Sequence, residues 1–161
     1  AQETAVQFMQ RHLDTDVAEL EISFYQMFDE ENIPGWVDRS KLEDYQQRPA
    51  FNFTFTRTYQ GIPVTDRSYS VTVDGLTGLI TAFHDRNSSS SVILPDSRNA
   101  VTAEAAKAEF IKSNPLRLAY LWPEYYGQKA PAPLLVYLPD YDTGWKYIDA
   151  LTGITVTVEI N

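Results

Sequence analysis

Asp74-Gly75-Leu76-Thr77-Gly78-Leu79 recurs in the second half of the chain as Asp149-Ala150-Leu151-Thr152-Gly153-Ile154. In each copy a β-rich run enters the aspartate and another leaves the glycine, so each copy reads as the turn of a hairpin. An internal repeat fixes architecture before any single element is assigned. In such a turn the aspartate accepts hydrogen bonds from the amides that follow it, the threonine does so more weakly, and the glycine supplies a positive φ. Those needs account for Asp74, Thr77, Gly78, Asp149, Thr152 and Gly153 as structural turn residues.

Working outward from the first copy, Phe51, Phe53 and Phe55 alternate with Asn52, Thr54 and Thr56, which is the pattern of a half-buried strand. Tyr69, Val71 and Val73 form the strand entering the turn, and 79–83 leaves it. Ile22, Phe24 and Phe28 mark an earlier strand, and Gly61-Ile62-Pro63 reads as a break. Around the second copy, 116–122, 134–138, 145–148 and 154–160 give four strands again. A helix precedes each set. Ala5, Val6, Met9 and Leu13 stand at helical spacing in the first half. In the second, Thr102 is an N-cap ahead of Ala103, Ala106 and Phe110, with Asn114-Pro115 as the stop.

Each half therefore predicts one helix followed by four antiparallel strands. The expected fold is α+β, with two tandem repeats, 1–90 and 91–161, each a helix packed on a four-stranded antiparallel sheet. An insertion of polar and turn residues near 29–49 lengthens the first repeat. The serines at 88–91 mark the boundary, and Val92-Ile93-Leu94 brings apolar surface expected to dock on one of the lobes.

Composition narrows the function. The chain has 161 residues, 43% hydrophobic and 13% aromatic, enough for one domain or two small lobes. Its net charge of −9 argues against the clustered cations that nucleic acid or an anionic membrane surface requires. Steering by this charge favours a basic partner surface. No apolar run reaches the roughly 18 residues that cross a bilayer, so no membrane insertion is expected. The absence of cysteine removes disulfides, thiolate nucleophiles and zinc–cysteine sites together. The chain opens at Ala1 and ends in an alternating run at Asn161, which suggests a mature or excised segment whose signal peptide has been removed.

The string Arg57-Thr58-Tyr59-Gln60-Gly61-Ile62-Pro63-Val64, followed by Val71-Thr72-Val73-Asp74 and Thr77-Gly78, resembles the PepSY superfamily. It is similar to the YcdB/YcdC-type repeated domain of Gram-positive bacteria and to the propeptide module of thermolysin-like metallopeptidases. The second copy keeps Tyr147-Ile148-Asp149-Ala150-Leu151-Thr152-Gly153 but has Pro131-Ala132-Pro133-Leu134 where Gly-Ile-Pro-Val would fall. The resemblance implies a non-catalytic, extracellular or cell-envelope module with a protein partner. That partner would be a secreted or envelope peptidase that the module regulates, or a component of the cell surface in which the module serves as a structural repeat.

The residues that could carry chemistry fit bland roles. Asp140-Tyr141-Asp142-Thr143-Gly144 resembles the start of a calcium loop, yet Gly144, its neighbour and Leu151 all depart from the required ligand pattern. Asp29, Glu30 and Glu31 read as a solvated loop. His12 and His84 have no acid at ligand or triad spacing, and the serines at 88–91 lack a nucleophile turn. No catalytic residue, cofactor or metal is expected. The aromatics Trp36, Tyr120, Trp122, Tyr125, Tyr126, Tyr137, Tyr141, Trp145 and Tyr147 are richer candidates, although strands pack about half of such rings inward. Trp122, Tyr125 and Tyr126 sit where a loop is expected and are the candidate partner contact.

Overall fold

A computed structural model of the chain describes residues 1–13, 16–26, 30–42, 49–87, 92–139 and 145–158, leaving the side chain of residue 30 aside. The chain divides into two compact units, Ala1–Leu94 and Pro95–Asn161.

The first unit begins with helix α1 (Gln2–His12), then strands β1 (Leu20–Gln26), β2 (Ala50–Tyr59), β3 (Ile62–Asp74) and β4 (Ile80–Asp85). The strands form one sheet in the order β1-β2-β3-β4, every pair antiparallel. Side-chain alternation makes one face apolar and the other polar. On the apolar face Phe24 pairs Phe53, Phe53 pairs Val71 and Val71 pairs Phe83, while Ile22 pairs Phe55 and Phe55 pairs Tyr69. Helix α1 covers this face with Ala5 and Met9, one helical turn apart and fully buried beside Phe53, Phe55, Tyr69, Val71 and Val73. Asn52, Thr54, Ser70 and Thr72 line the opposite face, where the Thr72 hydroxyl lies 2.6 Å from Asn52 Oδ1.

Two local readings change. Gly61-Ile62-Pro63 is not a break. Gln60 and Gly61, with φ of 53° and 75°, make the two-residue turn of a hairpin, and β3 starts at Ile62. The insertion is more than polar connection, because Ile33, Val37 and Leu42 are buried among its described residues. Phe28 lies outside the described residues.

The second unit has helix α2 (Ala103–Ser113) and strands β5 (Leu116–Leu121), β6 (Glu124–Tyr125), β7 (Gln128–Lys129), β8 (Leu134–Pro139), β9 (Trp145–Ile148) and β10 (Thr155–Val158). Thr102 caps α2, its Oγ1 accepting from the Ala105 N–H at 3.2 Å. The helix lies against β9 and β10, where Lys146 Nζ donates to the Ser113 carbonyl at 2.9 Å. Here the expected fold fails. The strands form three separate two-stranded ladders, β5–β8, β6–β7 and β9–β10, and no ladder among the described residues joins β8 to β9. The chain is thus not two tandem helix-on-sheet repeats. The physical reason is packing. Only Asn114 and Ala130 are buried among the described residues of this unit, and α2 buries none of its own. Ala103, Ala106 and Phe110 supply no equivalent of Met9, so no shared apolar layer binds the ladders into one sheet.

Val92 and Ile93 lie exposed. The docked apolar linker expected from the sequence is therefore corrected at these two positions.

Candidate interaction surface

The duplicated turn is real in its hydrogen bonds. Asp74 Oδ1 accepts from the N–H groups of Leu76 (3.0 Å) and Thr77 (2.8 Å) and from the Thr77 hydroxyl (2.9 Å). Asp149 Oδ1 accepts from the N–H groups of Leu151 (2.8 Å) and Thr152 (3.2 Å). In both, the glycine N–H returns to the aspartate carbonyl at 2.8 Å, and Gly78 and Gly153 share a φ of 70°. Thr77 and Thr152 each accept from the next amide but one. Both carboxylates accept hydrogen bonds that close their own turns.

Tyr125 and Tyr126 belong to a hairpin rather than an open loop, while Trp122 lies on the short connection just before it. Strands β6 and β7 are joined by Tyr126 and Gly127, with φ of 47° and 75°, and the Ala130 N–H closes onto the Pro123 carbonyl at 2.8 Å. Trp122 is 54% exposed and Tyr126 41%, while Tyr125 is half-buried with its ring edge-on to Tyr126 at 4.9 Å. Tyr125 and Tyr126 thus share one short, backbone-fixed element that Trp122 directly precedes.

The histidines do not meet. His12 stacks on Phe8 at 4.2 Å, and Phe8 packs on Phe83, which puts it on the apolar side of the first sheet. His84 follows Phe83 in β4 and pairs Ser70 on the polar side. Among the described residues no group of three or more His, Asp or Glu side chains is placed to hold a metal ion. Residues 88–91, 140–144 and Asp29, with the calcium-loop and serine readings made on them, lie outside the described residues, as does the Glu30 side chain.

A polar cluster in the first unit escaped the sequence reading. Arg57 donates to the Tyr69 hydroxyl at 2.8 Å, with its guanidinium carbon 5.8 Å from the ring centroid. Asp85 accepts from both the backbone N–H and the side-chain amide of Asn87, at 2.8 and 2.7 Å. Those bonds, followed by the Arg57 charge, hold its carboxyl below the usual carboxylate range. Arg57 Nε and Asn87 Oδ1 are buried without a hydrogen-bond partner among the described residues. Arg57 was visible only as part of a motif, since nothing in its own spacing announces Asp85 or Asn87.

Also missed was the apolar face of β5–β8. Leu116, Leu118 and Tyr120 stand opposite Pro139, Tyr137 and Leu135, all on one side of the ladder. The signal was present, because Leu116, Leu118 and Tyr120 alternate along one strand and Leu134 to Pro139 is apolar at both parities. An apolar stripe at period two marks a strand face that seeks cover.

No helix among the described residues is long and apolar enough to cross a membrane. Comparison of the chain with protein-family models, with curated proteins and with solved structures finds no match.

Proposed function

We propose that this chain is a non-catalytic binding module that works outside the cytoplasm and regulates a secreted or envelope-associated peptidase by contact. One observation carries this assignment: Tyr126 holds an exposed ring on a hairpin whose turn is fixed by two residues at positive φ, and Trp122 exposes its ring just before that hairpin. Trp and Tyr are the residues that most often anchor protein interfaces. A preformed hairpin loses less conformational freedom on binding than a loop does. The choice of a peptidase, and of an extracytoplasmic setting, draws on the resemblance of residues 55–78 to the PepSY superfamily. In this role the module needs neither turnover nor a cofactor.

The test adds the purified chain to the source organism's secreted peptidase fraction. The expected result is a dose-dependent fall in peptidase activity that a Trp122→Ala, Tyr126→Ala double variant no longer produces. Unchanged activity with the wild-type chain, or full inhibition by the double variant, would refute the proposal. The duplicated aspartate turn favours a second reading, a structural repeat of a cell-surface protein. Retention by the cell-wall fraction with peptidase activity unaltered would distinguish it.

A further inference from the structure

We propose that the apolar face of β5–β8 is the contact surface of a symmetric dimer, occupied by the same face of a second copy of this chain. Leu116, Leu118, Tyr120, Leu135 and Tyr137 are each more than half exposed, Tyr120 reaching 74%. At ~150–250 Å² for a tyrosine and somewhat less for a leucine, they present on the order of 600 Å² of apolar surface. That is the upper end of what a monomer leaves uncovered, and close to the ~800 Å² per partner of a standard interface.

Unit energetics point the same way. A two-stranded ladder is marginal by itself in water, and this one sits in a unit with only Asn114 and Ala130 buried among its described residues. Covering its apolar face supplies the burial that the unit lacks.

Charge selects the occupant. Residues 1–94 hold fourteen acidic and seven basic side chains, whereas residues 95–161 hold eight and six. The excess acid that would steer a basic partner lies in the first unit, not here. The face itself carries no charged residue, so a two-fold axis through it juxtaposes no like charges. Leu118 opposite Tyr137 lies near the middle of the six-pair ladder, which places that pair near the axis. Two such faces stack as packed sheets do, about 10 Å apart.

Sedimentation equilibrium of the whole chain, from low micromolar to high micromolar, tests this directly. The wild type is expected to reach dimer mass. Leu118→Glu and Tyr137→Glu each bury a charge at the axis and should raise the midpoint concentration at least ~100-fold. Trp145→Glu, on the separate β9–β10 ladder, should leave the midpoint unchanged. A monomer throughout, or a dimer indifferent to both Leu118→Glu and Tyr137→Glu, overturns the proposal. Should either glutamate variant lose its native circular dichroism, the cysteine-free chain offers an independent measurement. Leu118→Cys should cross-link to itself through a bis-maleimide reaching the ~10 Å between packed sheets, while Ser70→Cys should not. Equal yields from the two, or none from Leu118→Cys, overturn it as well. Trp122→Ala should leave dimer mass intact, separating this surface from the proposed peptidase contact.

Discussion

Gly75 and Ala150 hold the same position in two turns with the same hydrogen-bond closure, but only Gly75 has another stretch of backbone pressed against its α-carbon. Its N–H donates to the Pro49 carbonyl at 2.6 Å. A Cβ built there would lie 2.6 Å from that oxygen and 2.8 Å from both Phe51 Cε2 and Pro49 Cγ. In the second turn Ala150 contributes its carbonyl instead, accepting from the Val101 N–H at 2.7 Å. Glycine at 75 thus answers a close approach, not a backbone angle.

Gly75→Ala is accordingly expected to destabilise the first unit by ~1–3 kcal/mol, the usual cost of forcing atoms into a filled space. Ala150→Gly should stay within ~1 kcal/mol. Urea unfolding followed by circular dichroism measures both. Equal midpoint shifts would refute the distinction.

Asp74 is buried, while Asp149 is only half-buried and accepts one fewer hydrogen bond of those described above. Removing the acceptor withdraws every bond it takes in closing the turn, and Asp74 takes more of them from a more enclosed position. Asp74→Ala should therefore cost ~1–3 kcal/mol and Asp149→Ala less. Thermal melts of the two variants compare them directly, and a larger loss at Asp149 would contradict the burial argument.

Met9 and Phe110 occupy the inner turns of α1 and α2, and only Met9 is enclosed. Met9→Ala opens a cavity beside Phe55 and should cost ~2–5 kcal/mol. Phe110→Ala should cost less than ~1 kcal/mol, as surface changes do. Hydrogen exchange in β2 and β3 is the site-specific readout for Met9→Ala, with protection expected to fall across both strands.

For Asp85, the bonds from Asn87 lower the folded carboxyl's proton affinity below that of the unfolded chain. A depressed folded value adds stability above the unfolded pKa of ~3.9 and surrenders it as pH falls through the folded value. Asn87→Ala should move the Asp85 midpoint upward and flatten this acid response. Because Asp85 is exposed, the effect on total stability is small, so a carboxyl NMR titration is the appropriate measurement. An unchanged midpoint would show that Asn87 is not the cause.

Much of this was legible before the structure. The phenylalanine alternation at 51–55 and the spacing of Ala5 and Met9 encode a strand and a helix whose inner faces match. The aspartate turns are encoded by local chemistry that needs no tertiary context. What local pattern could not show was whether 134–138 and 145–148 would share a sheet. That depends on how much apolar area α2 can cover, which Ala103 and Ala106 limit. The hairpin at Tyr126 was hidden because tyrosine seldom takes a positive φ, and only Gly127 hinted at it. The Arg57, Asp85 and Asn87 cluster joins residues far apart in sequence, which no periodicity reports.

Strands β2, β3 and β4 each pair with the strand just before them, so every ladder of the first sheet lies between residues 20 and 85. Local pairing keeps loop-closure entropy low and speeds folding. During synthesis, the described strands of this unit therefore meet their ladder partners before Pro95 emerges.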